Sequence, residues 1–293
     1  MEILETISQL RSWRRAQTGR VGVVPTMGAL HAGHMALVEA ARADNDAVIA
    51  TIFVNPTQFA ANEDLSNYPR DLAGDCAQLA AYGTDAVFIP TPDLMYPMGF
   101  QTMITAADVS QGLEGARRPG HFQGVATVVA KLFNLTQPDR AYFGQKDAQQ
   151  VVVIRRVVAD LDFPVEVVVC PTVRTPDGLA LSSRNRYLTA EQAAAALAIP
   201  RALVALASAY DVGERQPERL IAAAFAALDG LTVEYAELSD PSALTPITTP
   251  TDAPILFSLV VRMGTTRLLD NMLLPRALND RVGLTATLGA TTP

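Results

Sequence analysis

The sequence predicts an α/β protein: a Rossmann-like parallel-sheet N-terminal domain over residues 1–173 and a smaller α+β C-terminal domain over 174–293. Three observations carry that expectation. Short β-rich runs alternate with helical stretches of about 10–15 residues, the signature of βαβ units. The β-rich runs lack in/out alternation, as strands covered on both faces do. The texture then changes after about Val173, where Pro171, Pro176 and the Asp177-Gly178 pair break the pattern.

In order, Val21–Val24 reads as a buried strand followed by a turn and a helix to about Arg42. Ala47–Val54 is the next strand, Arg70–Tyr82 a helix and Ala86–Ile89 a third strand. Val125–Leu135 is helical, Arg140–Gly144 strand-like, Ala148–Asp160 helical and Val165–Cys170 a strand. Thr189-Ala190-Glu191-Gln192 fits a capping box that opens an alanine-rich helix. Val233–Leu238, Ile255–Val261 and Thr265–Leu269 are short strand-like pieces, and a Pro/Thr-rich loop separates the first two. Gly289–Pro293 reads as a loose tail.

Composition narrows the function classes. The 293 residues suit two domains at roughly 100–200 residues each, and a 49% hydrophobic content excludes wholesale disorder. The longest uninterrupted apolar run, Leu220 to Leu228, has nine residues. A membrane helix needs about 20, so none is expected. Glu2 and Glu5 precede the first basic residue, Arg11, the reverse of a secretory signal. A net charge of −7 argues against a nucleic-acid coat. Cys76 and Cys170 lie far apart without a CxxC, which fits a reducing cytoplasm rather than a disulfide framework or a zinc site.

Three segments carry chemistry. The first strand runs into Pro25-Thr26-Met27-Gly28-Ala29-Leu30-His31-Ala32-Gly33-His34. A turn that opens a helix presents backbone N–H groups to an anion, and Gly28 and Gly33 let backbone approach a phosphate closely. With a helix starting near Gly33, His31 and His34 converge on one anion. Two surface histidines is the plainer reading, but two of the chain's three histidines in a single turn favour the anion. Neither GK[ST] nor GxGxxG is present, so this is not a Walker loop or a dinucleotide fingerprint. Gly144-Gln145-Lys146-Asp147 again lies between a strand and a helix, with Lys146 as a point charge for phosphate. Leu181-Ser182-Ser183-Arg184-Asn185 adds two hydroxyls and a guanidinium. Taken singly, the last two read as solvated loops. Together the three stand at the strand ends where open parallel sheets bind ligands.

PTMGALHxGH, FVNPTQF, YPR, RPGHF, GVATVV, GxKD and LSSRN together resemble the pantothenate synthetase (pantoate–β-alanine ligase) family, from about Val21 to Tyr187. HxGH alone belongs to a wider nucleotidyltransferase superfamily that includes class I aminoacyl-tRNA synthetases. The resemblance implies ATP-dependent condensation of (R)-pantoate with β-alanine to pantothenate, AMP and pyrophosphate, through pantoyl adenylate. It implies Mg²⁺ with the ATP, a homodimer and a cytoplasmic enzyme of coenzyme A biosynthesis, with the C-terminal domain closing over the site.

By the same resemblance Met27, Gly28, Ala29, Leu30, His31, Ala32, Gly33 and His34 wrap ATP. His34 is the acid-type residue and His31 a second phosphate contact. Gln58 holds pantoate beside the β-alanine position, and Gln150 holds pantoate's hydroxyls. Gly144, Gln145, Lys146 and Asp147 bind ATP, Val173 faces the adenine, and Leu181, Ser182, Ser183 and Arg184 close over the phosphates. His34, His31 and Lys146 form the catalytic set. Two departures stand out: the family often has Glu where Gln145 stands, and commonly a basic residue at Gln123. Tyr68-Pro69-Arg70 reads equally well as a helix start, and His121 equally well as structural. Asp75 and Gln78, one helical turn apart, read as an exposed helix face rather than a magnesium site, and the metal ligands stay open.

The residue types suit the reaction. A carboxylate is already ionised at neutral pH and needs no base to attack phosphorus. The enzyme's task is alignment and charge neutralisation, which His31, His34, Lys146, Arg184 and Mg²⁺ can supply. Three rivals stand beside this reading. An adenylyltransferase that stops at nucleotidyl transfer would lack FVNPTQF and LSSRN. A silent nucleotide-binding scaffold would not keep the basic set intact, and a class I synthetase would need an anticodon-binding region.

Overall fold

The structure, a computed structural model, describes residues 1–59, 65–66 and 68–276. The tail expected at Gly289–Pro293 lies outside the described residues. The chain forms two compact units: Met1–Gly144 with Val153–Cys170, and Gln145–Val152 with the chain from Pro171 onward.

The first unit holds six strands: β1 (Glu2–Leu4), β2 (Val21–Thr26), β3 (Ala47–Ile52), β4 (Ala86–Phe88), β5 (Arg140–Gly144) and β6 (Glu166–Cys170). They form one sheet in the order β1-β4-β3-β2-β5-β6, with every neighbouring pair parallel. Every residue of β3 is buried, which explains why it is apolar but for Thr51. Helices α1 (Ile7–Ala16), α2 (Ala32–Asp44), α3 (Leu72–Ala81), α4 (Pro92–Met95), α5 (Leu113–Arg117) and α6 (His121–Thr136) belong to this unit, and α7 (Ala148–Asp160) passes from the second unit into it. From β2 the strand order runs one way through β3 and β4 and the other way through β5 and β6. That reversal is a topological switch point, and it opens a crevice beyond the carboxyl ends of β2 and β5.

The second unit carries α8 (Ala190–Ala196), α9 (Ala198–Asp211), α10 (Pro217–Phe225) and an antiparallel sheet of β7 (Thr232–Ser239), β8 (Ile255–Met263) and β9 (Thr266–Leu274). The expected capping box forms: Gln192 N donates to Thr189 Oγ1 at 3.2 Å, and Thr189 N donates to Gln192 Oε1 at 3.0 Å. Ile199, Leu203 and Leu206 of α9 are buried at helical spacing against Phe257, Leu259 and Val261 of the sheet. Burying one such side chain contributes roughly 1.5–3 kcal/mol.

The sequence reading differs from the structure at several elements. It leaves β1 and α1 unassigned: three residues are too short a run for periodicity to register β1, and the Thr6–Gln9 capping box that opens the ten-residue α1 goes unread. It takes the alanine-rich stretch as one helix, whereas the chain breaks at Leu197 and continues as α9. It also judges membrane spans by uninterrupted apolar runs alone. Residues Ala190–Asp211 are in fact long and apolar enough to pass by length and composition, with a mean hydropathy of 1.6, although half of that window is buried inside the protein.

Candidate active site

The turn after β2 is shaped by a buried carboxylate on α3. Asp75 Oδ2 accepts from Ala29 N at 2.9 Å and Oδ1 accepts from Leu30 N at 2.8 Å. These bonds hold Ala29 at a φ of 52°, which costs an L-residue roughly 1–2 kcal/mol. Gly28 stands at a φ of 80°, and a Cβ there would lie 2.9 Å from Asp75 Oδ2. Asp75 itself is 3% exposed, so the expectation of an exposed helix face at this residue is corrected. Both of its oxygens accept backbone amides of the turn.

Two histidines open α2. His31 is the N-cap, and its Nδ1 accepts from Gly33 N at 3.1 Å. His34 occupies the third helical position, and its Nδ1 accepts from His31 N at 3.3 Å. This is a capping box built from imidazoles, with ring centroids 4.2 Å apart. A backbone N–H can only donate, so each Nδ1 is an acceptor and the proton of each neutral ring sits on Nε2. The helix start therefore presents two Nε2–H donors at its positive end. Gly33 also makes room for this arrangement. A Cβ there would lie 2.8 Å from Cε1 of the His31 ring.

Gln58 follows in the same unit and is buried. Its Nε2 donates to Met27 Sδ at 3.0 Å, and its Oε1 accepts from Asn55 Nδ2 at 3.1 Å. Asn55 Nδ2 also donates to Gly124 O at 3.2 Å, and Tyr96 OH donates to Asn55 Oδ1 at 2.7 Å. Burial pushes the Tyr96 phenol above its ordinary value, opposed by the Thr57 hydrogen bond, so it stays a donor. His121 is structural: Arg118 Nη1 lies 3.0 Å from its Nε2, and Nδ1 lies 2.9 Å from Gln58 O. A guanidinium can only donate, so Nδ1 carries the proton and donates to that carbonyl. Tyr68 is buried edge-on against Phe59, and the following helix starts only at Leu72 with Asp71 as its cap. Gln123 donates to Thr105 Oγ1 at 3.0 Å.

The remaining motif residues fall in the second unit, except Gly144, which ends β5 in the first. Lys146 is half-buried beside exposed Asp147, at 3.7 Å. Gln145 is buried, and its Nε2 donates to Asn271 Oδ1 at 2.8 Å. Half-buried Gln150 lies in the first turn of α7. Val173 and Leu181 are joined by a backbone bond of 2.9 Å across a short hairpin closed by Gly178. Arg174 lies inside that hairpin and is clamped in both its terminal nitrogens by Asp270, at 2.6 and 2.9 Å. Ser182 then caps the 3₁₀ turn Ser183–Tyr187, its Oγ accepting from Arg184 N at 3.2 Å. A small cavity is lined by Lys146, Ala180, Ser182, Asn185 and Asp270, among others. The sequence reading misses Tyr96, Asp270 and Asn271; it takes in Asn55 only as part of FVNPTQF and Asp75 only as part of an exposed helix face.

A parallel sheet with an anion-ready helix start at its switch point, bearing a paired HxGH, defines an α/β enzyme of the nucleotidyltransferase type. A family model described as pantoate-beta-alanine ligase matches residues 2–273. The chain belongs to that family of ligases. A pantothenate synthetase from Roseiflexus sp. (strain RS-1) is 54% identical over 94% of this chain and 99% of its own length. The crystal structure of pantothenate synthetase from Thermus thermophilus matches with a TM-score of 0.87 at 47% identity, covering 93% of this chain and 99% of that one. A pantoate-beta-alanine ligase from Francisella tularensis, complexed with beta-gamma ATP and beta-alanine, matches with a TM-score of 0.75 at 36% identity, covering 93% of this chain and 97% of that one. Among the described residues no group of three or more His, Cys, Asp or Glu is placed to hold a metal ion.

Proposed function

We propose that this chain condenses pantoate with β-alanine at the expense of ATP, releasing AMP and pyrophosphate through a pantoyl-adenylate intermediate. The observation that carries the reading is the imidazole capping box that opens α2 directly after β2, the strand at the sheet's switch point. MgATP is the nucleotide substrate, with the metal carried by its phosphates rather than by a protein carboxylate cluster. Pantoate's carboxylate attacks the α-phosphorus, and His31 and His34 donate to the phosphate oxygens where charge accumulates. Lys146 and Arg184 neutralise the departing pyrophosphate. Gly28 to Gly33, with Met27, lie along the nucleotide, as do Gly144, Gln145, Asp147, Val173 and Leu181 to Ser183. Gln58 and Gln150 hold pantoate, since an amide can both donate to a carboxylate and accept from a hydroxyl. Neither thiol is poised as an acyl carrier: burial, with a smaller push from the Asp44 charge, drives the Cys170 thiol up to about 11, and burial, with a push from the Asp75 charge, raises that of Cys76. AMP is therefore the carrier, and β-alanine's amine, with a pKa of about 10, loses its proton as it enters the pocket. The enzyme works in the cytoplasm as a homodimer.

Labelled pyrophosphate should exchange into ATP with pantoate present and β-alanine absent. Oxygen-18 placed in pantoate's carboxylate should appear in AMP. Exchange that requires β-alanine, or formation of ADP and phosphate, would refute the adenylate route. Sedimentation tests the dimer, and a concentration-independent monomer would overturn it.

A further inference from the structure

Two adjacent residues of β9 tie together the second unit's two phosphate-facing segments. Along a strand, neighbouring side chains point to opposite faces of the sheet. Asp270 lies across from Leu259 on the face that packs on the helices, and Asn271 lies across from Ser258 on the other face. Asn271 is 3% exposed and fully committed to the Gln145-Lys146 stretch. Its Nδ2 donates to Gln145 O at 3.0 Å and to Lys146 O at 2.8 Å, while its Oδ1 accepts from Gln145 Nε2 at 2.8 Å. Asn271's own backbone N–H donates to Asp270 Oδ1 at 2.9 Å. Asp270 is 1% exposed and grips Arg174 bidentately, and Arg174 Nη1 donates to Gly178 O at 3.0 Å across the hairpin that leads into Ser182–Arg184. One dipeptide thus fixes the backbone that carries Lys146 and the hairpin that carries Leu181 to Arg184.

We propose that Asn271 is a positioning residue for adenylation, acting through Lys146 by locking the carbonyls on either side of its Cα. This rests on the role given to Lys146 above. A buried side chain with every polar atom paired to one short stretch holds that stretch in a single conformation, because any other leaves unpaired groups out of water. Gln145, where the family often has Glu, completes the lock. Its amide supplies the donor that Asn271 Oδ1 requires, which a carboxylate could not.

The test uses the full-length enzyme and reads two half-reactions. Asn271→Ser should lower pantoate-dependent pyrophosphate exchange about 10- to 100-fold, the scale of an ångström-sized misplacement. It should leave aminolysis of supplied pantoyl adenylate within about threefold, because Lys146 serves the step in which pyrophosphate departs. In a Lys146→Ala background the same substitution should cost less than about threefold, since residues that act as one unit are not additive. Asn271→Thr, uncharged and suited to a strand, should show the same split, and serves if Asn271→Ser folds poorly. Equal loss in both half-reactions, or full multiplication of the Asn271 and Lys146 effects, would overturn the proposal. Failure of the wild-type enzyme to exchange pyrophosphate would instead refute the adenylate reading on which it rests.

Discussion

Asp75→Asn is the substitution that most sharply tests how the nucleotide loop is built. The carboxylate accepts two successive buried amides, from Ala29 and Leu30. An Asn keeps one acceptor and turns an NH₂ group toward the second amide. One charge-assisted bond worth about 1.5–3 kcal/mol is lost, and a buried donor is left unpaired at about 1–3 kcal/mol. The two overlap, so the net loss should be about 2–4 kcal/mol. Relaxation of Ala29 out of the left-handed region, at a φ of 52°, returns roughly 1–2 kcal/mol of local strain and moves the loop. The chain's one tryptophan, Trp13, is buried in α1 of the same unit and reports its unfolding by fluorescence in urea. Pyrophosphate exchange should fall about 10- to 100-fold with the loop displaced. Raising Mg²⁺ should not restore it, because the loss lies in the backbone of the turn that Asp75 shapes. A midpoint unchanged from wild type, or recovery with excess Mg²⁺, would refute this reasoning.

Three further outcomes follow from the same geometry. His34→Ala and His34→Asn should both lower turnover by at least about 100-fold, since both remove the Nε2–H donor. Asn can still cap His31 N, so it should cost less stability than Ala, which loses about 1 kcal/mol; near-normal turnover in His34→Asn would reduce the histidine to a cap. Gln58→Ala and Gln150→Ala should raise the KM for pantoate far more than that for ATP, and equal rises measured by steady-state kinetics would remove both from the pantoate site. Arg174→Leu leaves Asp270 buried without its main partner and should destabilise the second unit by about 3–5 kcal/mol, followed by far-UV circular dichroism. The double variant Arg174→Leu/Asp270→Leu should recover most of that loss; no recovery would mean the pair is not what holds the hairpin.

The sequence alone determined the class of fold and the family. A strand such as Ala47–Ile52, apolar but for Thr51 and without in/out alternation, needs both faces covered, so the parallel sheet is legible in it. The paired histidines are legible because two of three in one strand-to-helix turn is a local pattern. The capping box at Thr189 is local too, since its partners lie three residues apart. Tertiary structure decided what holds these pieces in place. Asp75 reaches back 46 residues to Ala29, Asn271 reaches 125 residues to Lys146, and Asp270 reaches 96 to Arg174. Nothing in the spacing of such residues marks them, because a buried polar side chain is selected by the backbone group it meets across space. Asp75 on its helix reads as solvent-facing surface until the turn folds over it. The sequence thus names the groups that would meet ATP, and only the packing shows which carboxylate and which amide fix them there.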